Sequence, residues 1–322
     1  MTAELRIGSP ARWVHPSFYP VQALVSELAG LGIQEVPISA HMARLSNSLG
    51  QIRLPSFSRR SKTSLVFIPM MGPRFDLLAA GSRLGRPVVY AWDIWEKDVA
   101  KWIENVDRFG VELLICTSSD AKALLDSGGV GCRTFYLPEA TDVSLYQGGG
   151  PLVERTTSVL EIGRRSDFWH SAVVEGLARR GCQHLFEVSA GSLVFETRSQ
   201  MLEGFKSSAV SLCLPRSMTH GDSSGKVETF THRYLESMAA GCIVLGHAPR
   251  DLVDLFGYNP VVEVDWQDPL GQIFMLLDSL PSLQSLVDTN VIETEMRGSW
   301  RVRSKEILAL VRAEFDLEVD DE

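Results

Sequence analysis

From Leu65 onward the chain alternates short apolar runs with longer amphipathic stretches, and this alternation restricts its fold more than any other feature. Leu65-Val-Phe-Ile68, Pro87-Val-Val-Tyr-Ala91, Glu112-Leu-Leu-Ile-Cys116 and Thr134-Phe-Tyr-Leu137 are four or five residues long. Helical stretches separate them at 75–84, 99–109 and 118–125, the last capped within Thr117-Ser-Ser-Asp120. Short strands alternating with helices of about ten residues are the mark of a parallel α/β sheet. Gly148-Gly-Gly-Pro151 interrupts the pattern, which then restarts. Strands are expected at 158–162, 185–188, 209–214, 242–245 and 261–264. Helices are expected at 169–180, 199–205, near Asp251, and in a run ending at Phe315. The first fifty residues carry less signal: a strand at 5–7, a helix over 21–29 and a turn at 30–32 leading to 35–38. Residues 55–63, rich in Ser, Arg and Lys, read as a loop.

Two domains follow, 1–147 and 151–298, which suits a length of 322 residues. Residues 299–322 form a last helix with Trp300, Ile307, Leu308, Val311 and Phe315 on one face, returning to the first domain, and an acidic tail. At 45% hydrophobic residues each domain has material for a core. A net charge of −9 argues against a general nucleic-acid binder. The five cysteines form no close pair and no metal-like spacing, and Cys116, Cys213 and Cys242 sit inside apolar runs as small core residues. No run of 18 apolar residues occurs, and the opening Met-Thr-Ala-Glu-Leu-Arg lacks an apolar signal region. The expectation is a cytoplasmic protein without a spanning segment, with peripheral membrane contact left open.

The stretch Lys226-Val-Glu-Thr-Phe-Thr-His-Arg-Tyr-Leu-Glu-Ser-Met-Ala-Ala-Gly-Cys-Ile-Val-Leu245 reads as loop, helix, glycine stop and buried strand. Thr229 or Thr231 would cap the helix. A helix start presents unpaired N–H groups and partial positive charge, which favours a phosphate. Glu228 and Glu236 flank that start, and carboxylates accept hydroxyl hydrogen bonds well. A phosphate flanked by polyols describes a nucleotide sugar.

Glu228-x7-Glu236, with Phe230 after the first Glu and Met238-Ala-Ala-Gly241 after the second, resembles the donor-site signature of GT-B glycosyltransferases of the "glycosyl transferases group 1" type. The resemblance is strong at 226–246 and weaker elsewhere over 65–310. It implies two Rossmann-like domains facing a cleft, with the ligand outside the strand C-termini. It implies that Glu228 contacts the donor sugar and Glu236 the ribose. Gly163-Arg164 follows a strand, as Gly-Arg does in similar enzymes, where the Arg lies near the donor pyrophosphate; Lys226 is a second candidate for those phosphates. Thr231 and His232 would meet the phosphates at the helix start. His232 and Arg233 oppose the helix dipole there, a conflict that a bound diphosphate would relieve.

The sequence also departs from the family. Thr229 and Thr231 stand where glycines are usual, Arg233 where a Pro is frequent, and Trp92 where a His often precedes an Asp. An inverting enzyme would need a base at the acceptor, for which Asp93 and His15 are the candidates. Trp92 and Trp95 either stack on a sugar face or pack in the core. His170, His220 and His247 suggest no metal cluster, and GT-B enzymes generally act without a metal. The expected activity moves a sugar from a nucleotide diphosphate-sugar, as co-substrate and without further cofactor, to a hydroxyl acceptor. That acceptor is a glycan, a lipid-linked or a small molecule, in polysaccharide or glycoconjugate assembly. The alternatives are a catalytically silent nucleotide- or sugar-binding module and a GT-B nucleotide-sugar epimerase.

Overall fold

The computed structural model describes residues 4–11, 18–50, 64–189 and 192–317. Two compact units emerge. Unit 1 takes in the chain up to Glu139, Ser223–Val227 and the segment from Trp300; unit 2 takes in Ala140–Asp222 and Glu228–Ser299.

Unit 1 opens with β1 (Leu5–Pro10), α1 (Tyr19–Gly30), β2 (Gln34–Ile38) and α2 (Ala40–Gly50). It continues with β3 (Leu65–Met71), α3 (Phe75–Leu84), β4 (Arg86–Trp92), α4 (Val99–Phe109), β5 (Leu113–Cys116), α5 (Ser119–Ser127) and β6 (Arg133–Tyr136). All six strands run parallel in the order β2-β1-β3-β4-β5-β6. The local grammar is that of the sequence. Ser118 caps α5 by accepting from the Ala121 amide, and Gly110, at φ 64°, ends α4 in the left-handed conformation.

One strand runs further than expected. β3 continues through Pro69 to Met71, although proline donates no ladder hydrogen bond. Its pairing with β1 covers only Leu65–Phe67, so among the described residues one side of β3 has no ladder beyond that point for Pro69 to interrupt. Val66, Ile68, Val89, Leu114 and Trp102 anchor the core of this unit.

Unit 2 carries α6 (Val143–Tyr146), β7 (Thr157–Glu161), α7 (Asp167–Arg179), β8 (His184–Leu185), α8 (Arg198–Ser207) and β9 (Ser208–Cys213). After the short α9 (Arg216–Thr219) and α10 (Gly221–Ser224), whose last two residues belong to unit 1, come α11 (His232–Ala239), β10 (Ile243–Gly246), α12 (Arg250–Phe256) and β11 (Val262–Glu263). α13 (Pro269–Asp278) and α14 (Leu280–Arg297) complete it, and the chain then forms α15 (Trp300–Phe315) of unit 1. The five strands are parallel in the order β11-β10-β9-β7-β8.

The expected boundary at 148–151 falls inside this unit, because α6 already packs there through the buried Tyr146. The strand expected at 185–188 pairs only over His184–Leu185. Every residue of β9 is buried, as a central parallel strand requires. Phe230, Leu235 and Met238 join Val244 and Leu252 in one buried cluster, which seats α11 on the sheet. Cys116, Cys213 and Cys242 are core residues; burial pushes the Cys213 thiol up to about 11 and the Cys242 thiol up to about 12. No helix among the described residues is long and apolar enough to cross a membrane.

Candidate functional site

In the second sheet the strand order reverses between β7 and β9. Open parallel sheets bind ligands at such a reversal, outside the strand C-termini. The start of α11 sits at this point. An added Cβ on Gly163, just beyond β7, would lie 3.9 Å from Arg233 Nε, and Cys213 at the end of β9 reaches the Arg233 carbonyl through Sγ at 3.8 Å. Gly163 has φ +92°, a left-handed conformation that admits the turn leading to Arg164.

Tyr234, in the first turn of α11, ties two strand ends together. Its hydroxyl donates to the carbonyls of Cys213 (3.0 Å) and His247 (2.8 Å). Burial pushes this phenol well above its ordinary pKa; Glu228 and Glu263 push it further and Arg164 opposes them. His247 lies between two carboxylates, with Nε2 3.2 Å from Glu228 and Nδ1 3.1 Å from Glu263. Glu263 also accepts from the Ala248 amide, which fixes the loop after β10.

Glu236 is fully buried. Tyr146 donates to one of its oxygens at 2.5 Å and Arg233 Nη1 to the other at 2.7 Å. The conflict expected between Arg233 and the helix dipole is thus answered within the helix, one turn on, and a bound diphosphate is not required to relieve it. Thr231 occupies the cap position of α11 but makes no side-chain capping bond, and Thr229 donates to the Phe230 carbonyl instead.

Unit 2 therefore gathers Gly163, Arg164, Glu228, Thr231, His232 and Glu236, and adds His247 and Glu263. Those two were missed, although each sits at the C-terminal end of an apolar run, where a side chain reaches the ligand edge. The other described candidates belong to unit 1. Lys226 belongs to unit 1, where its amide donates to Glu96 at 2.6 Å. Trp92 and Trp95 are 1% and 5% exposed, which removes them as stacking platforms: Trp92 packs edge-on against Tyr90 and Trp300, and Trp95 joins the core. Asp93 follows β4 at φ 55°, a left-handed conformation. His15 lies outside the described residues. Unit 1 has its own strand reversal, between β1 and β3, and a cavity of about 390 Å³ there is lined by Pro10, Ile38, Pro69, Met71 and Arg74. His170, expected to belong to no metal-like cluster, instead meets His184 and Glu161.

Two parallel-sheet domains of this kind are the architecture of the GT-B glycosyltransferases. Anabaena HepE, solved with UDP and glucose, superposes with a TM-score of 0.61 at 10% identity, over 97% of this chain and 100% of that one. Sucrose-phosphate synthase from Thermosynechococcus elongatus gives 0.60 at 12% identity, over 98% and 99%. The trehalose-6-phosphate synthase OtsA gives 0.62 at 8% identity, over 96% and 99%. At such identities the likeness is one of fold. No family model matches the chain, and no curated protein matches it in sequence.

Proposed function

We propose that the chain is a nucleotide-sugar-dependent glycosyltransferase with the group 1 donor motif, transferring a sugar to a hydroxyl acceptor. One observation carries this reading: α11 begins at the strand reversal of the second sheet, with the Gly163-Arg164 turn and Glu228 near its first turn. A helix start and an arginine suit a diphosphate, and a carboxylate suits sugar hydroxyls. In the transfer, the bond from the anomeric carbon to the phosphate oxygen breaks and the acceptor oxygen takes its place. Arg164 and the helix start offset the charge that builds on the departing diphosphate. Glu228, steadied by His247, holds the sugar. Glu236, fully buried, acts more through Arg233 than by direct contact. The acceptor proton goes to Asp93 or to the departing phosphate. The pathway served is polysaccharide or glycoconjugate assembly.

HepE was solved with UDP and glucose, so UDP-glucose is the first donor to test, followed by GDP- and dTDP-sugars. A true donor raises the melting temperature, because it binds the folded form. It also releases nucleoside diphosphate when an acceptor is present. Glu228→Gln is expected to keep the fold and lower turnover by a hundredfold or so, about 2.7 kcal/mol of barrier. Wild-type turnover in Glu228→Gln would remove that residue from the site. The two threonines in place of glycine and the engaged Glu236 favour a second reading, a silent binding module; this predicts the melting shift without any nucleotide release.

A further inference from the structure

Beneath the loop that carries Arg164, three side chains converge that the glycosyl-transfer reading does not use. Glu161 ends β7, His170 lies in the first turns of α7, and His184 opens β8. His170 Nδ1 is 2.7 Å from Glu161 Oε2, and His184 Nε2 is 3.4 Å from the same oxygen. One ligand atom from each residue lies within 4.8 Å of the other two. The cluster is buried: the Glu161 and His184 side chains are 2% and 5% exposed, and that of His170, at 15%, leaves a way in. Phe186 closes it, with its ring 4.8 Å from that of His170 and 4.7 Å from that of His184.

Hydrogen bonding within the chain leaves this cluster incomplete. Glu161 Oε1 and both ring nitrogens of His184 are buried and have no hydrogen-bond partner among the described residues. A proton shared by His170 and Glu161 satisfies Oε2 alone. Buried polar atoms in folded proteins are ordinarily satisfied, so a group of three here asks for a further partner. Two imidazoles and a carboxylate are the ligand set of late first-row divalent cations, zinc above all, and three protein ligands leave a fourth position for water. With bonds of about 2.0–2.2 Å, tetrahedral ligand atoms sit roughly 3.3–3.5 Å apart, a spacing these atoms reach with small side-chain rotations.

We propose that Glu161, His170 and His184 form a binding site for a divalent transition-metal ion, with zinc as the natural probe. The ion would join the end of β7, the start of α7 and the edge strand β8. It would tie both ends of the loop 162–166, where Arg165 already reaches the Glu187 carbonyl through Nη1 at 3.3 Å, and keep its fourth position for water.

The test uses the full chain, stripped with a chelator and titrated with Zn²⁺ alone by calorimetry, and with Co²⁺ followed by visible absorption. The expected result is one equivalent bound, a four-coordinate cobalt spectrum and a higher melting temperature. His184→Asn and His170→Asn should each weaken binding by more than about tenfold, since even outer partners of metal ligands carry effects of that size. His220→Asn, which alters an exposed histidine elsewhere, should leave binding intact. His170→Asn changes a partly exposed ring, so it reports even if the buried His184→Asn fails to fold. Absence of saturable zinc binding to the wild-type chain overturns the proposal, as does one equivalent retained at full affinity in His170→Asn. Because no sugar donor enters the experiment, its outcome stands apart from the glycosyl-transfer reading.

Discussion

Asp93 leaves β4 with its backbone in a region that most L-residues avoid and that Asp, Asn and Gly tolerate best. A base at the acceptor and a turn-former are both consistent with an aspartate here, and two substitutions separate them. Asp93→Asn keeps the turn and is expected to change stability by no more than about 0.5 kcal/mol in urea unfolding. Asp93→Ala should cost roughly 1–2 kcal/mol, because alanine pays the left-handed strain without local hydrogen bonding. If Asp93 takes the acceptor proton, Asp93→Asn loses turnover while donor binding stays; full turnover in that variant assigns the proton to the departing phosphate. Glu236 shows the converse hazard. Removing its carboxylate takes a hydrogen-bond partner from the part-buried Arg233 and from the buried Tyr146, which costs on the order of 1–3 kcal/mol. Loss of donor binding in Glu236→Ala would therefore mix unfolding with recognition, and Glu236→Gln is the more informative change.

At the scale of elements, β9 and β10 meet with almost no space between them at their C-terminal ends. A Cβ on Gly246 would lie 1.8 Å from the Cys213 carbonyl oxygen, a backbone atom that cannot swing aside. Gly246→Ala should cost about 1–3 kcal/mol and move His247, the next residue, away from Glu228. An unchanged urea midpoint would show that the strands separate more easily than this packing implies. The same elements explain what the sequence disclosed. Buried parallel strands need uninterrupted apolar runs, so β4, β5, β9 and β10 were legible, and α3 and α4 begin and end where expected. α2 was not, because its apolar residues are sparse among Ser46 and Ser48. β3 was cut short at Pro69, since its one-sided pairing is a tertiary fact. Glu228 and Glu236 could be found because one short motif holds both. His247 with Glu263, and Glu161 with His184, could not, because strand adjacency joins residues well separated along the chain.

For the molecule as a whole, the membership of α15 in unit 1 matters most. Trp300 is buried against Trp92 (5.9 Å between ring centroids) and Tyr90 (6.4 Å), and Phe315 lies under the guanidinium groups of Arg86 and Arg133. Trp300→Ala should cost about 3–5 kcal/mol. In native-state hydrogen exchange the loss should fall on the amides of β3 and β4, with β9 and β10 keeping their protection; equal losses in both sheets would mean the units unfold as one. A ribosome making this chain meets an awkward order of events. Some 160 residues separate Glu139 from Trp300, and at bacterial or eukaryotic elongation speeds they take roughly 10–30 s to emerge. Throughout that interval the nascent first sheet has its strands but not its final helix, so the aromatic patch around Tyr90 and Trp92 is open to chaperones and to neighbouring chains, while the later sheet can close as soon as its own last helix is out.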